Sequence, residues 1–275
     1  MLGNTLPARK VDAHKGTFGS LAIIGGGASM VGAVLLSARA ALLSGTGRVY
    51  AACLSSNSPS VDMLHPEIMF RKPADLTNLA QLDCVVIGPG LGQSQAAIEM
   101  LEFWLSQNVV LLIDADALNL MAKHSYLTAI CKKRHAETVI TPHAGEAARL
   151  LDVTSEDIQQ NRTESALKLA HILHATCVLK GANTVVAYDD GNYFINSTGN
   201  VGLASGGTGD VLSGIIGSFL AQGVSGLNAA KLGVFVHGAA ADALVAKGVG
   251  PVGLVASEVA IEARNIINQL SSQSA

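Results

Sequence analysis

Residues 21–53, LAIIGGGASMVGAVLLSARAALLSGTGRVYAAC, decide the fold class. Two short runs, 21–25 and 48–53, are apolar without alternation, and between them 32–44 carries its apolar residues at helical spacing. A strand that is apolar at every position is covered on both faces, as in a parallel sheet sandwiched by helices. Strand, glycine turn, helix and second strand make one β-α-β unit. The rhythm repeats, with strands predicted at 83–87, 109–114 and 138–141 and helices at 95–106 and 115–122. It changes after Arg162. A helix is predicted over 161–174, and then three β runs, 177–180, 184–188 and 193–196, follow across turn-like connections, which is the pattern of an antiparallel meander. Helices at roughly 209–223, 227–247 and 257–269 finish the chain. The expectation is a single α/β domain: a central, mostly parallel sheet flanked by helices, with a short antiparallel meander in the C-terminal half.

Composition narrows the function. Hydrophobic residues make up 49% of the 275 and charged residues only 14%, which suits a well-buried enzyme core and excludes a disordered chain. A net charge of -3 provides no electrostatic footprint for nucleic acid or an anionic membrane. An anionic ligand must then be held by backbone amides and a few placed lysines. Cys53, Cys84, Cys131 and Cys177 are far apart and form no C-x-x-C pair, so buried reduced thiols are predicted rather than a disulfide or a metal centre. Met1 to Lys10 lack the apolar stretch of a secretory signal, and the run 211–224 is too short to span a bilayer. A soluble, cytoplasmic protein is the expectation.

Glycine-rich segments fall where strands end and helices begin, the rim at which open α/β sheets bind ligands. Gly25-Gly26-Gly27 invites a dinucleotide-fold reading, but the sixth residue from Gly25 is Met30 and no acid lies between Asp12 and Asp62. A tight turn that lets helix and strand approach is the alternative. Gly88-Pro89-Gly90-Leu91-Gly92 makes a rigid wall without side chains, against which a bulky ligand can lie. The sharpest signal is Gly206-Gly207-Thr208-Gly209-Asp210, ahead of an apolar helix. Free amides of a first helical turn make an anion site, here Gly207, Thr208 and Gly209. Asp210 is either an acid that merely stabilises the helix start, by ~1 kcal/mol, or a general base. The glycines are unnecessary for the first role and needed if phosphate touches backbone. An anion beside Asp210 also raises its pKa, which suits a base.

Other candidates stand at similar places. Lys180, Gly181, Ala182, Asn183 and Thr184 join two strands and suit a phosphate or nucleotide edge, with a plain hairpin turn as the alternative. In Thr141-Pro142-His143, followed by Gly145-Glu146, proline fits a first helical turn and leaves His143 at the rim. Asp114 and Asp116, with Asn119, either organise water around Mg²⁺ or cap the next helix. Lys15 in Lys15-Gly16-Thr17-Phe18-Gly19 is a cation for an anionic substrate, and His171 and His174 fall on a helix surface.

Taken in order, K-G-T-F-G, V-G-A at 31–33, G-P-G-L-G, D-A-D-A-L-N, T-P-H-A-G-E, K-G-A-N-T and N-S-T-G-N…G-G-T-G-D resemble the ADP-dependent NAD(P)H-hydrate dehydratases, from Lys10 to about Gln269. G-T-G-D alone marks only a ribokinase-like fold; T-P-H-x-G-E and D-A-D-A-L-N separate this family from sugar and thiazole kinases. The resemblance implies that fold, with a core of about 10–270, and dehydration of the S epimer of NADHX or NADPHX with ADP as phosphoryl donor and Mg²⁺. It places Ala33, Gly90 or Gly92, His143 and Asp210 at the hydrated dinucleotide, Lys180, Gly181, Ala182, Asn183, Thr184 and Gly209 at the nucleotide, and Glu146 indirectly at the metal. It also implies a homotetramer. In a departure from many bacterial relatives, no N-terminal epimerase domain is expected in this chain, so the R and S epimers interconvert either spontaneously or through a separate epimerase with which the chain pairs. A ribokinase-like small-molecule kinase is the competing reading, since it uses the same Asp and anion site.

Overall fold

The computed structural model describes residues 12–79 and 81–272; the leader reading on Met1 to Lys10 lies outside them. Among the described residues, nine strands form one sheet in the order β3-β2-β1-β4-β5-β6-β7-β8-β9. β1 (Ser20–Gly25), β2 (Arg48–Cys53), β3 (Met69–Phe70), β4 (Cys84–Ile87), β5 (Val110–Ile113), β6 (Thr138–Ile140) and β7 (Thr176–Leu179) run parallel. β8 (Val185–Ala187) and β9 (Tyr193–Ile195) return antiparallel as the expected meander. The α/β class and the mixed sheet are as the sequence predicts.

The strands β1 to β8 alternate their side chains between two separate cores, whereas β9 turns Tyr193 and Ile195 outward. Leu21, Ile23, Val86, Leu112 and Val178 point to one, covered by α1 (Val31–Leu43), α9 (Thr208–Ala221), α10 (Gly226–Ala246) and α11 (Ala256–Ser272). Ala22, Ile24, Val85, Ile113 and Leu179 point to the other. That face carries α2 (Pro73–Leu76), α3 (Gln95–Ser106), α4 (Ala115–Lys123), α5 (Ser125–Lys132), α6 (Ala144–Leu151), α7 (Ser155–Gln160) and α8 (Arg162–Leu173). By length and hydropathy α10 matches a membrane span, but most of it is buried inside the molecule, with Ala229, Leu232, Val236 and Ala240 in the first core. All four cysteines are buried and free, as predicted, and burial pushes the Cys84 and Cys177 thiols far above their ordinary range. His171 and His174 are exposed, and the carboxylate of Asp189 at the β8–β9 turn bonds both rings.

The elements that periodicity does not reveal are the short ones. β3 has two residues, α2 four, α7 six and α5 eight, few enough that no clear period emerges, and their stability comes from packing.

α9 decides where the site lies. It crosses α1 so closely that a Cβ on Gly214 would overlap the carbonyl oxygen of Ser37, and one on Gly217 would press into Val86 of the sheet. Small residues thus let the helix sink onto β1 and β4 with its N-terminus at the carboxyl ends of the strands. The Gly214→Ala variant tests this close approach. In an exposed helix this change gains roughly 0.5–1 kcal/mol; here the fold loses about 1–3 kcal/mol through overpacking. The midpoint of urea unfolding reports the sign.

Candidate active site

Three loops meet beside β1, where the chain switches from β2 on one side to β4 on the other. The Gly26 and Gly27 amides donate to Pro89 O and Gly90 O, and the Gly92 amide donates to Asp116 Oδ2 at 2.8 Å. Gly90 has φ +55 and lies so close to Met30 and Ala33 that a side chain there would clash. The wall read from the sequence therefore exists, with Ala33, Gly90 and Gly92 side by side. The Gly25 segment is half of that wall, which explains its glycines without a dinucleotide fingerprint.

Gly207, with φ +87, is the N-cap of α9, and Val211 N is the first helical amide to find a backbone acceptor, Gly207 O. The amides of Thr208, Gly209 and Asp210 have no acceptor within the helix, as its first turn requires. Thr208 Oγ1 donates to Leu203 O and Ser205 O, which fixes the loop ahead of the turn. Beside it, Lys180, Gly181, Ala182, Asn183, Thr184, Thr208 and Gly209 line one cavity of about 540 Å³. The predicted nucleotide residues are thus brought together, although 29 positions separate Lys180 from Gly209.

The opposite wall of that cavity was missed as a functional element. Residues 196–203 form a strap clamped to α10: Asn196 Nδ2 donates to Val234 O, Thr198 Oγ1 to Phe235 O, and the Gly199 amide and Asn200 Nδ2 both donate to Asp242. The motif N-S-T-G-N was visible, but its amides and hydroxyl acquire a role only from α10. His237, also in the lining, is buried and held neutral, its pKa pushed down to about 4 chiefly by burial.

The charged centre joins these parts. Lys180 Nζ lies 2.7 Å from Asp114 Oδ1 and 3.9 Å from Glu146 Oε2. Burial pushes the ammonium down, but Asp114 and Glu146 outweigh it and the lysine titrates above its ordinary range. Asp114 is fully buried; it caps α4 through the Ala115 amide and accepts from Ser213 Oγ at 2.6 Å. Asp210 is pushed up to about 7, first by burial and then by Asp114, with Lys180 offsetting part of the effect and Asp116 adding to it.

His143 is the N-cap of α6. Its Nδ1 accepts from the Gly145 and Glu146 amides, while Glu146 Oε2 accepts from the His143 amide at 2.8 Å, a reciprocal capping box. With Nδ1 accepting, the hydrogen-bond network places the ring proton on Nε2, 3.2 Å from Glu146 Oε1. Burial, Lys180 and Arg149 push the imidazole below its ordinary range, so it stays neutral at pH 7, with half its side chain exposed at the rim. Burial pushes the Glu146 carboxyl up, against the pull of Lys180.

One expectation is corrected. Lys15 does not join the site. Its short helical turn (Lys15–Phe18) precedes β1, with Gly47 packed against the Lys15 carbonyl and Gly19 against the Ala221 carbonyl at the far end of α9. Within one chain it lies at the amino ends of the strands, opposite Asp210. His14 caps it through Nδ1, so the segment's residue types serve a capped turn.

The family model for NAD(P)H-hydrate dehydratase matches residues 21–260. The chain belongs to that family. It is 42% identical over 270 residues to the ADP-dependent (S)-NAD(P)H-hydrate dehydratase of Neisseria meningitidis, covering 96% of this chain and 90% of that one. It is also 42% identical to the bifunctional NAD(P)H-hydrate repair enzyme Nnr of Escherichia coli, over 97% of this chain but 51% of that protein, so the chain spans about half of that relative's length. Among solved structures, the ADP/ATP-dependent NAD(P)H-hydrate dehydratase of Bacillus subtilis, co-crystallised with ATP/Mg²⁺, superposes with a TM-score of 0.87 at 31% identity, covering 98% of this chain and 96% of that one. The hydroxyethylthiazole kinase of Pyrococcus horikoshii shares the fold at a TM-score of 0.61 and 16% identity.

The raised pKa of Asp210 has a consequence for stability. An unfolded aspartate loses its proton near pH ~4, whereas Asp210 in the fold keeps it to about 7. The native state therefore binds the extra proton between these values, and stability falls as pH rises through that window. In Asp210→Asn this loss disappears: its melting temperature changes less between pH 5 and pH 8 than that of the parent chain, and at pH 8 it is the higher of the two.

Proposed function

We propose that this dehydratase works with Asp210 as general base at the end of the nucleotide cavity. The reaction is the ADP-dependent dehydration of the S epimer of hydrated NAD(P)H to NAD(P)H, with release of AMP and phosphate. The observation that carries the assignment to Asp210 is its position: a carboxyl pushed up to about 7, on the same first helical turn as Thr208 and Gly209, which line the cavity together with Lys180.

Hydroxide is a poor leaving group from C6 of the hydrated ring, and phosphate is a far better one. Asp210 takes the proton of the C6 hydroxyl as its oxygen attacks the terminal phosphorus of ADP. The bond from that phosphorus to the bridging oxygen breaks, and AMP leaves with the electron pair. Amides at Gly207, Thr208 and Gly209, with Lys180, stabilise the charge on the transferred group. The ring nitrogen then pushes out phosphate from C6, a proton leaves the adjacent carbon, and the dihydropyridine is restored. The glycine wall of Gly90 and Gly92, with Ala33 and the neutral ring of His143, faces the hydrated dinucleotide. Gly181, Ala182, Asn183, Thr184 and Gly209 hold the nucleotide.

Mg²⁺ fits this residue set. Among the described residues no three or more of His, Cys, Asp and Glu converge as a metal cage. Mg²⁺ commonly keeps its waters and binds through one or two carboxylates and the substrate's phosphates, so Glu146 would act on it indirectly. When bound, the ion neutralises charge on the transferring phosphoryl group.

The same reading carries a homotetramer in the cytoplasm, acting on NADHX or NADPHX whose epimers interconvert spontaneously or through an epimerase. That relatives such as the Escherichia coli enzyme are bifunctional repair enzymes is in keeping with such a pairing. Light scattering of the purified chain tests the tetramer.

Purified protein incubated with NADHX, Mg²⁺ and ADP is expected to yield NADH, AMP and phosphate in equal amounts. A stable phosphorylated product without NADH would instead make it a small-molecule kinase. General-base catalysis contributes about 10²–10⁴-fold, so Asp210→Asn loses at least about 100-fold in kcat while still binding ADP. Near-full activity in that variant would remove Asp210 from the role.

A further inference from the structure

Asp114 closes β5 and has no solvent exposure, yet its carboxylate serves neither the sheet nor a helix cap alone. Oδ1 accepts from the Ala115 amide at 2.8 Å and from Lys180 Nζ at 2.7 Å, and Oδ2 accepts from Ser213 Oγ at 2.6 Å. These donors come from the head of α4, the end of β7 and the body of α9. Ser213 lies 99 positions along the chain and one helical turn beyond Asp210. An ordinary N-cap side chain accepts from the second or third helical amide, whereas Asp114 reaches only the first, that of Ala115. Both other bonds reach elements that carry the reacting groups.

The backbone around Asp114 is built to hold it still. Ala115 sits at φ 48, a left-handed conformation that alanine rarely adopts. Beneath it, Gly88 at φ +130 lies so close that a Cβ would overlap the Asp114 carbonyl. Such strain persists only where the surroundings over-determine it, and it clusters at functional sites. Glu146, at 3.9 Å from the ammonium, is beyond hydrogen-bond reach, so Asp114 is the partner that fixes Lys180. Three protein donors, one of them a cation, already occupy the two oxygens.

We propose that Asp114 is a positioning residue of the dehydratase reaction, setting the Lys180 ammonium and the Asp210 turn of α9 at a fixed separation, and that it is not a metal ligand. The inference rests on the function proposed above. Asp114 acts through its two partners: one oxygen aims the lysine at the anion site, and the other locks the helix whose first turn carries the base. Loss of its charge therefore disturbs turnover more than nucleotide capture.

The test is a double-mutant cycle with Asp114→Asn, Lys180→Met and the double variant, read as kcat and KM for ADP in NADHX turnover. Binding of Mn²⁺ with ADP, followed by electron paramagnetic resonance, runs in parallel. Asp114→Asn is expected to lower kcat at least tenfold and to leave the Kd of Mn²⁺ in the ADP complex within about threefold. The double variant should be no more than about threefold slower than the slower single variant, because both remove one unit. A double variant that loses the product of the two single effects overturns the proposal, as does a tenfold or greater loss of Mn²⁺ binding in Asp114→Asn. Should Asp114→Asn fail to fold, Ser213→Ala replaces it: a several-fold fall in kcat at constant KM for ADP supports the proposal, and unchanged kcat overturns it. Parent protein that forms no NADH fails at the earlier step and takes the functional reading with it. Normal parent turnover with an additive cycle removes only the role of Asp114.

Discussion

The contact between Lys180 and Asp114 is the one the site is built on. A carboxylate without solvent exposure must be paired, because an uncompensated charge in the interior costs several kcal/mol. Here Lys180 supplies the charge and Ser213 and the Ala115 amide supply the remaining bonds. The ends of β5, β7 and α9 are consequently held together by a requirement that none of them meets alone. Asp210, on the same helix turn, experiences the like charges of Asp114 and Asp116 on top of its own burial, and Lys180 only partly relieves them. Environment thus divides the acids: Asp114 is tied to a cation, and Asp210 is left near neutrality, where a base can work.

The rest of the architecture sets a cavity and a glycine wall around that cluster. The cavity is closed by a strap whose amides and side chains are already spent on α10 through Val234 O, Phe235 O and Asp242. Its shape is therefore set before a ligand arrives, which reduces the ordering cost of binding. On the other side, glycines of two loops bond each other and leave a wall with little side-chain bulk. His143 and Glu146 cap one helix reciprocally, so the imidazole is presented at the rim in a fixed tautomer beside Lys180. A residue set that looks catalytic in sequence is in part a set of helix caps, and the caps are what hold it in place.

Much of this was legible in the sequence because the physics involved is local. Strands covered on both faces must be apolar throughout, as at 84–87 and 110–113, and glycine is required where φ is positive, as at Gly207 and Gly90. An apolar helix behind G-G-T-G-D must start there and must expose its first amides. The meander after β7 announced itself by short runs and turn residues. Elements of two to eight residues, β3, α2, α7 and α5, stayed hidden, since they show little period of their own and exist because neighbours cover them.

What only the tertiary structure decided is which of these local features share a space. Asp114 and Ser213 are 99 positions apart, and nothing in either segment names the other. Lys15, a cation among glycines like Lys180, falls at the wrong end of the strands and leaves the site. The strap's role appeared only when α10 was laid against it. Sequence alone determined the strands other than β3, the turns and the exposed helix amides, because backbone sterics and two-sided burial act within a few residues. The pairing of charges across the rim was decided by the sheet order and the depth of α9, because electrostatic partners are chosen by distance in space.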